Sequence, residues 1–448
     1  MDKTIEKNAK DREKAEILAA VVRFREKYMG ASPTTAYHKQ MGDDHYELAK
    51  LYRDLGLMQS AKHAARESIR HYREVCNEKE TKDALWDLDW SWIILRDLYR
   101  STSETDLAIE AAQESVLLFL RLIRLGDSSS YYTNYQISTN ILIELLKKKG
   151  ESYYRKALDW CDKCLDELKF WPEKHDSGVR LCYTAGMYRT RSELCESLVS
   201  ADPKHKNFWQ SEKVGAIEKA TALYTRAWEE NPKSVSVAEK VSDAFNDWRL
   251  MYKNAANEKW RLYTRIEYEC YMLLFENDTL KYARNTYVIA WLYAECYKSR
   301  LSEEEKRALC EKLVYELKRI HFYAGDKHVQ ALHMMRCCYY AAQVYGVFFS
   351  DDLESRHAMY LQACDYGSLY LVEKGADTNM SYYLDCIDGV FACDIMPADE
   401  RPAFIQKISS DLSLLHTKIT LRSQVDDLRK KLERFRPSAC LAYFDPQD

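Results

Sequence analysis

The segment "AIEKATALYTRAWEENP", residues 216–232, determines how the rest of the sequence is interpreted. Three alanines and Tyr224 recur in it at steps of three and four residues, which places them on one side of a helix. Small side chains let a second helix approach closely, and the aromatic ring fills the groove beside them. Pro232 then ends the helix because proline lacks the amide hydrogen that a helix needs. The segment thus predicts one helix of a closely packed pair.

The composition predicts long helices. Of 448 residues only 13 are glycine and 8 are proline, so few positions favour tight turns. Hydrophobic residues make up 46% and charged residues 30%, which is sufficient for a folded core. The apolar residues follow helical spacing almost everywhere, and no stretch alternates for long with the period of two that is typical of strands. We therefore expect an all-α protein.

Partial copies of one pattern recur along the chain. The tetratricopeptide signature is W-x2-L-G-x2-Y, then A-x3-F, then a small residue and proline, over about 34 residues. The opening segment matches the second-helix half, and other segments match the first-helix half or both. The matching residues are Trp92, Leu95, Tyr99 and Ala108 in one copy, Leu48, Ala49, Tyr52, Gly56, Ala61 and Ser68 in another, Val241, Phe245, Ala256, Trp260 and Tyr263 in a third, and Ile289, Ala290 and Tyr293 in a further first helix. On these residues the chain resembles the tetratricopeptide-repeat family.

This resemblance implies a right-handed αα-superhelix of about eight helical hairpins over residues 41–420. Residues 1–40 are expected to form an N-terminal capping region, and residues 421–448 a C-terminal capping helix and tail. The spacing of equivalent alanines is longer than in the family, since Ala61 and Ala108 lie 47 residues apart. Helices longer than the family's would explain that spacing. A HEAT-like or other αα-solenoid and a single compact helical domain are the alternatives.

The last predicted helix has an apolar stripe whose partner the sequence leaves open. Spacings of four and three residues put its members on one face, which is the heptad pattern of a coiled coil. The stripe consists of Leu421, Val425, Leu428, Leu432 and Phe435. Two heptads are short for a coiled coil, so docking onto the last hairpin is favoured over pairing with a second chain. The chain is accordingly expected to be a monomer, or a homodimer through this C-terminal helix.

Charge and hydropathy exclude several classes of partner. The formal net charge is −4, which argues against a nucleic-acid binder that neutralises phosphates. The most apolar stretch, residues 337–349, is too short to cross a bilayer and contains Gln343. Residues 1–14 are charged and lack an apolar signal core, so the 14 cysteines are expected to be reduced. These features predict a cytoplasmic protein that binds neither nucleic acid nor membrane.

The sequence contains no recognisable catalytic motif. It has no G-x-S-x-G nucleophile elbow, no P-loop and no G-x-G-x-x-G after a strand. We therefore predict no catalytic residue, no cofactor and no enzymatic activity. An enzyme whose catalytic groups come from distant helices is the remaining alternative.

Several groups of metal-binding residue types occur, and none has the spacing of a metal site. One group consists of Cys161, Cys164, His175 and Cys182. Its first two cysteines lie inside a predicted helix on the row of small residues, which favours core packing over zinc binding. His63 and His71 are eight residues apart on one predicted helix, which is too far for both to bind one ion. We therefore predict no metal site.

The resemblance also implies that first helices line a concave face that binds extended peptides or partner helices. Residues just after each first-helix seam would then point inward. The predicted partner-binding residues are Tyr46, Lys50, Arg53, Asn140, Asn246, Arg284, Tyr287 and Trp291. Trp291 is the most suggestive because tryptophan is enriched in binding hot spots. The peptide-carboxylate clamp of the family's best-known subgroup is not expected, since Tyr46 and Lys50 stand at the matching positions.

These patterns favour protein–protein interaction as the function. The chain would act as a non-catalytic scaffold, adaptor or inhibitor that binds a partner protein or peptide through the concave face of a superhelix. A peptide-sensing regulatory receptor is the first alternative, although residues 1–40 supply only one or two helices of the bundle that such receptors carry. An enzyme on a helical scaffold is the less favoured alternative.

Overall fold

The computed structural model of the chain describes residues 2–30, 33–126, 128–172, 177–251, 258–323, 326–377 and 379–435. Throughout these residues the regular secondary structure is helical and no strand occurs. This confirms the predicted all-α helical class. The chain divides into two compact units, unit 1 with residues 1–230 and unit 2 with residues 231–448.

Unit 1 is built from helices that pack mainly on their neighbours in sequence. Its described α-helices are α1 (Asp2–Met29), α2 (Thr35–Asp54), α3 (Met58–Glu78), α4 (Lys82–Ser101), α5 (Thr105–Leu125), α6 (Ser129–Lys149), α7 (Tyr154–Leu168), α8 (Ser177–Ala201) and α9 (Lys206–Glu230). Short 3-10 turns precede α7 and α9. Because the contacts follow the chain order, each hairpin buries its apolar faces on the hairpins beside it, which is the packing of a helical-repeat protein.

The first helices of two successive hairpins begin in the same way. Thr34 precedes α2, and its hydroxyl oxygen accepts a hydrogen bond from the amide of Tyr37 at 3.2 Å. Thr81 precedes α4 and accepts from the amide of Ala84 at 3.2 Å. A threonine in this position satisfies one of the free amides of the first helical turn. The two caps lie 47 residues apart, which repeats the spacing of the alanines.

The alanines predicted to lie at helix contacts are buried in unit 1. Ala61, Ala108 and Ala157 belong to α3, α5 and α7, and all three are fully buried. Helices α2 to α5 are 20 or 21 residues long, so a hairpin needs more than the roughly 34 residues of the tetratricopeptide family. Long helices therefore account for the long period, as predicted.

The segment 216–232 contributes the second half of α9. Tyr224 is 5% exposed, and Ala216, Ala220 and Ala227 on its side of the helix are buried, so the face predicted from the spacing is the packed one. The helix packs against α8 and ends at Glu230, two residues before Pro232. The predicted member of a closely packed helix pair is confirmed.

Buried serines make polar contacts within and between the hairpins of unit 1. The Ser68 hydroxyl donates to the Gly42 carbonyl at 2.9 Å and lies 2.8 Å from the Ser91 hydroxyl. Ser115 occupies the equivalent place 47 residues later, and its hydroxyl donates to Asp89 Oδ1 at 2.5 Å. Each serine thus bonds a polar group that the close packing of the helices removes from water.

Unit 2 continues the helical pattern. Its described α-helices are α10 (Val235–Met251), α11 (Glu258–Asn277), α12 (Thr279–Tyr297), α13 (Glu303–Tyr323), α14 (Lys327–Phe348), α15 (Leu353–Lys374), α16 (Met380–Cys393), α17 (Arg401–Leu415) and α18 (Arg422–Phe435). Helices that are neighbours in sequence again make most of the contacts, and α12 also packs extensively on α14. In the described part of the chain, the structure contains no candidate for a membrane-spanning helix.

The apolar stripe at the carboxyl end packs inside unit 2. Its buried members are Leu421, Val425, Leu428 and Leu432. Helix α18 contacts α16 and α17, and the Gln424 amide donates to Asp385 of α16 at 2.7 Å. The stripe is therefore covered by the chain itself, which agrees with docking onto the preceding helices. The side chain of Phe435 lies outside the described residues.

Some finer predictions are not decided by these contacts. Helix α2 begins at Thr35, inside the segment 1–40 that the sequence predicts as a cap. The boundaries at residues 40 and 420, the right-handed superhelix and the count of about eight hairpins stay predictions. Ala256, one member of a partial repeat copy, lies outside the described residues.

Replacing Gly42 with alanine is expected to destabilise unit 1. A Cβ at Gly42 would lie 2.8 Å from the Tyr72 ring of α3, closer than two carbon atoms can pack. Overpacking of this kind costs about 1–3 kcal/mol. Gly215→Ala is the matched control, because a Cβ there meets no atom within 4 Å, and it should gain about 0.5–1 kcal/mol. Urea unfolding followed by circular dichroism tests both variants, and equal effects would contradict the tight contact of α2 with α3.

Asp89 is expected to make the stability of unit 1 depend on pH. Burial raises the pKa of this carboxyl from 3.8 to about 7, against the opposing effects of the Ser115 hydrogen bond and the Arg96 charge. The folded chain therefore holds the proton more tightly than the unfolded chain does. The stabilisation is complete below the ordinary pKa and is lost as the pH rises through the folded pKa.

The free energy of unfolding should thus fall between about pH 4 and pH 7 by up to about 1.4 kcal/mol per pH unit from this group. Asp89→Asn should remove that part of the slope in urea titrations. The exposed Asp83 of the same helix supplies the control Asp83→Asn, which should leave the slope as in the parent chain. An unchanged slope in Asp89→Asn would show that Asp89 stays ionised in the fold.

Candidate partner-binding face

Tyr46, Lys50 and Arg53 all lie on α2. The Lys50 ammonium is 5.3 Å from the centroid of the Tyr46 ring and pairs with Glu47 at 2.8 Å. Arg53 is exposed and donates to the adjacent Asp54 at 3.0 Å. The structure thus places these three predicted residues on one helix. Lys50 and Arg53 therefore each have a carboxylate partner close to them in sequence.

Asn140 and Asn246 support contacts within their units. The Asn140 side-chain oxygen accepts a hydrogen bond from Thr190 of α8 at 3.2 Å. Asn246 accepts from Arg249 at 2.9 Å, and Arg249 also donates to Glu267 at 2.7 Å. Arg249 and Glu267 are 7% and 2% exposed, so their charges compensate each other in the core of unit 2.

Tyr287 belongs to the core of unit 2 and is corrected as a partner-binding residue. Its side chain is fully buried, and its hydroxyl donates to the Leu313 carbonyl at 2.6 Å. Its ring also packs edge-on against Phe275, with centroids 6.2 Å apart. A partner could contact Tyr287 only if α12 separated from its neighbours. Helical spacing places Tyr287 on a defined side of α12, but it does not tell which element covers that side.

Arg284 and Trp291 lie on the side of α12 near α14. The Trp291 ring is half-buried, with its centroid 6.1 Å from that of Tyr340 in α14. Arg284 is exposed and lies near Arg336 of α14. Burial lowers the pKa of the Arg336 guanidinium, and the charge of Arg284 lowers it further. Two positive groups therefore share one region of unit 2.

Arg336 extends this region to α16. Its Nη2 donates to the side-chain oxygen of Asn379, and its guanidinium lies 5.4 Å from the centroid of the Tyr382 ring. The hydroxyls of Tyr340 and Tyr382 are 3.5 Å apart. Helices α12, α14 and α16 thereby present a continuous set of cationic and aromatic side chains. We call this set the arginine–aromatic face; it consists of Arg284, Trp291, Arg336, Tyr340 and Tyr382.

The positive charge of this face lacks a carboxylate counter-charge among the described residues. Neither Arg284 nor Arg336 forms an ion pair there, and Arg336 Nε is buried with no hydrogen-bond partner in that part of the chain. Burial and the Arg336 charge also lower the pKa of His333, which favours the neutral imidazole. A half-buried guanidinium without a counter-charge costs free energy. An incoming carboxylate would supply that counter-charge.

The sequence analysis predicted Arg284 and Trp291, which lie on this face, and did not name the α14 and α16 members. A usable signal existed, because Arg336 and Asn379 are 43 residues apart and Tyr340 and Tyr382 are 42 residues apart. That separation is close to one hairpin, so it brings side chains of successive first helices together. Pairs of polar residues at this spacing would have pointed to α14 and α16.

The cysteine group of the sequence belongs to the core of unit 1. Cys161, Cys164 and Cys182 are buried, and Cys161 Sγ donates to the Met187 carbonyl at 3.4 Å. Burial raises the pKa of the Cys161 thiol, which disfavours the thiolate that a metal requires. His175 lies outside the described residues. The described members of the group therefore pack as predicted.

Comparison with known proteins yields similarities of architecture at low identity. No family model and no curated protein matches the chain. The chain is similar to the S. pombe nuclear import adaptor Nro1, with 14% identity, a TM-score of 0.45, and 70% of this chain and 99% of Nro1 covered. It is also similar to the human IFIT1 dimer with PPP-AAAA, with 14% identity, a TM-score of 0.28, and 96% and 95% covered.

A third similar structure is a circular tandem repeat protein with novel repeat topology, with 12% identity, a TM-score of 0.30, and 95% of this chain and 90% of that protein covered. All three TM-scores are below 0.5.

Replacing Arg336 with methionine is expected to leave the free energy of unfolding unchanged or to raise it by about 1 kcal/mol. Methionine keeps an apolar side chain against Tyr382. It removes a positive charge that has no carboxylate partner among the described residues. Arg249→Met is the matched control, since it leaves Glu267 buried without its cation and should cost about 3–5 kcal/mol. Chemical unfolding of the two variants measures the difference. A comparable loss in both would make Arg336 a structural residue.

Proposed function

We propose that the protein is a non-catalytic binding scaffold whose arginine–aromatic face binds an acidic segment of a partner protein. The observation that carries this proposal is the half-buried Arg336, which has no carboxylate partner among the described residues and lies beside a second arginine. A group kept in this costly arrangement is typical of a functional site. The predicted residues Arg284 and Trp291 belong to the same face.

The chemistry of the face favours a carboxylate-bearing segment. A guanidinium binds a carboxylate through two parallel hydrogen bonds, which gives both strength and orientation. Trp291, Tyr340 and Tyr382 are half-buried and offer aromatic surface beside the cations, and tryptophan, tyrosine and arginine are the residue types enriched in binding hot spots. Two arginines suit a short acidic segment better than a long polyphosphate, which needs many cations.

The other predicted residues extend the proposal without carrying it. Tyr46, Lys50, Arg53, Asn140 and Asn246 remain candidates for further contacts, whereas Tyr287 is left out because it is buried. A cytoplasmic location is part of the proposal. It is supported by the cysteines of the described part, which form no disulfide there and are almost all buried.

A display library of random peptides, selected on the full chain, tests the proposal. We expect peptides enriched in aspartate and glutamate, with an affinity that falls as the salt concentration rises because the contacts are ionic. Arg284→Glu should weaken binding of the selected peptides by at least about tenfold, since it reverses one charge of the face. Arg336→Met should weaken it similarly while the chain stays folded.

Arg265→Glu is the matched control for Arg284→Glu. Arg265 belongs to α11, is 46% exposed in its side chain, and lies 3.7 Å from Glu269. Its replacement makes the same change in net charge outside the face, so peptide affinity should stay within about twofold of the parent. If both variants lost the same peptide affinity, the loss would be an effect of net charge and not of the arginine–aromatic face. Selection of neutral peptides, or of none, would overturn the proposal.

A further inference from the structure

A cluster of metal-ligand side chains lies between α2 and α3 in unit 1, whereas the arginine–aromatic face belongs to unit 2. His45 comes from α2, and Glu67 and His71 come from α3. One possible ligand atom from each residue lies within 4.8 Å of the other two. Ligands at about 2 Å from a zinc ion are separated by about 3–4 Å from one another. The three ligand atoms would therefore have to draw together, by rotation of their side chains, for all three to bind one ion.

His45 is buried without the hydrogen bonds that a buried imidazole normally makes. The residue is 6% exposed, and neither ring nitrogen has a hydrogen-bond partner among the described residues. Its Nε2 lies 3.9 Å from a carboxylate oxygen of Glu26 in α1, which is beyond hydrogen-bond distance. Leaving a buried polar group unsatisfied costs about 1–3 kcal/mol. This position therefore calls for a partner that the described residues do not supply.

Arg70 shows where a cation fits in the cluster. Its Nη2 donates to Glu67 Oε2 at 2.7 Å and to His71 Nε2 at 2.9 Å. Because arginine can only donate, His71 Nε2 must present its lone pair at this point. A carboxylate oxygen and an imidazole lone pair thus converge on one positive group. The Arg70 side chain is 53% exposed, so it can turn into solvent and release both acceptors.

His38 orients the His71 ring from the other side. The Nδ1 atoms of His38 and His71 are 2.9 Å apart. Since His71 Nε2 accepts from Arg70, the proton of the neutral ring is on Nδ1 and is donated to His38. Metal-binding histidines typically donate their second nitrogen in this way, which fixes the ring and its tautomer.

We propose that His45, Glu67 and His71 form a binding site for a divalent transition-metal ion of the zinc type. Two imidazoles and one carboxylate are a ligand set that suits zinc, with water completing the tetrahedron. The ion and the Arg70 guanidinium compete for the same two acceptors, so binding turns Arg70 outward. A bound ion joins α2 to α3 and thereby stabilises this hairpin.

Titration of the full chain with zinc chloride by calorimetry, and with cobalt chloride by absorption spectroscopy, tests the site. We expect one ion per chain and cobalt ligand-field bands without a thiolate charge-transfer band. His45→Gln and Glu67→Gln should each weaken binding by at least about tenfold. Arg70→Ala should strengthen binding by about tenfold or more, because it removes the competing positive charge. His205→Ala, an exposed histidine of unit 1 at 59% side-chain exposure, is the matched control and should bind as the parent does.

Arg70→Ala decides the matter even if a ligand variant fails to fold, since Arg70 is half-exposed and contributes no ligand. A purely structural histidine cluster would gain no metal affinity from that change. Unchanged or weaker binding in Arg70→Ala would overturn the proposal. Binding that survives in both His45→Gln and Glu67→Gln, or a thiolate band in the cobalt spectrum, would also overturn it.

Discussion

Close contact between successive long helices is the constraint on which the rest of this structure depends. Helices of 20 or 21 residues pack along their length only if small side chains stand where the backbones meet. Ala61, Ala108 and Ala157 provide such positions in unit 1, and Gly42 takes the Tyr72 ring against its backbone. Each hairpin then buries its apolar faces on its neighbours.

The same close contact dictates how polar groups are handled. A polar group between two packed helices is cut off from water and needs a partner within the protein. Ser68 and Ser115 supply such partners in unit 1, and the Arg249–Glu267 pair satisfies itself in unit 2. The interior therefore contains polar side chains, and these largely have hydrogen-bond or ion-pair partners.

Buried polar atoms without a hydrogen-bond partner occur at several places in the described part of the chain, and the arginine–aromatic face and the histidine cluster are two of them. Arg336 is half-buried beside Arg284 with no carboxylate pair in the described part of the chain, and His45 is buried with both ring nitrogens unpartnered there. Departures of this kind are expected at functional or strained sites. The two exceptions call for different ligands, an anion at the arginines and a cation at the histidines.

The separation in sequence between contacting residues explains how much of these two sites could be predicted. Facing residues within a hairpin of unit 1 are 26 residues apart, as in the Ser68–Gly42 and Ser115–Asp89 contacts. His71 and His45 have the same separation. A search limited to one helix compares His71 with His63 and misses the partner across the hairpin. Only an alignment of the two helices relates these residues, and long, degenerate repeats make that alignment hard to establish.

Composition and periodicity were sufficient for the class of fold. Scarce glycine and proline, apolar residues at helical spacing and rows of alanine predict long helices in close contact, because these are local properties of each helix. Arg284 and Trp291 came from the resemblance to the tetratricopeptide-repeat family and stay predictions as partner-binding residues. Which side of a helix is covered depends on its neighbours, so only the tertiary structure buries Tyr287, brings Arg336 to Arg284 and joins His45 to His71. These contacts connect residues that are distant in sequence, and helical periodicity carries no information about such pairs.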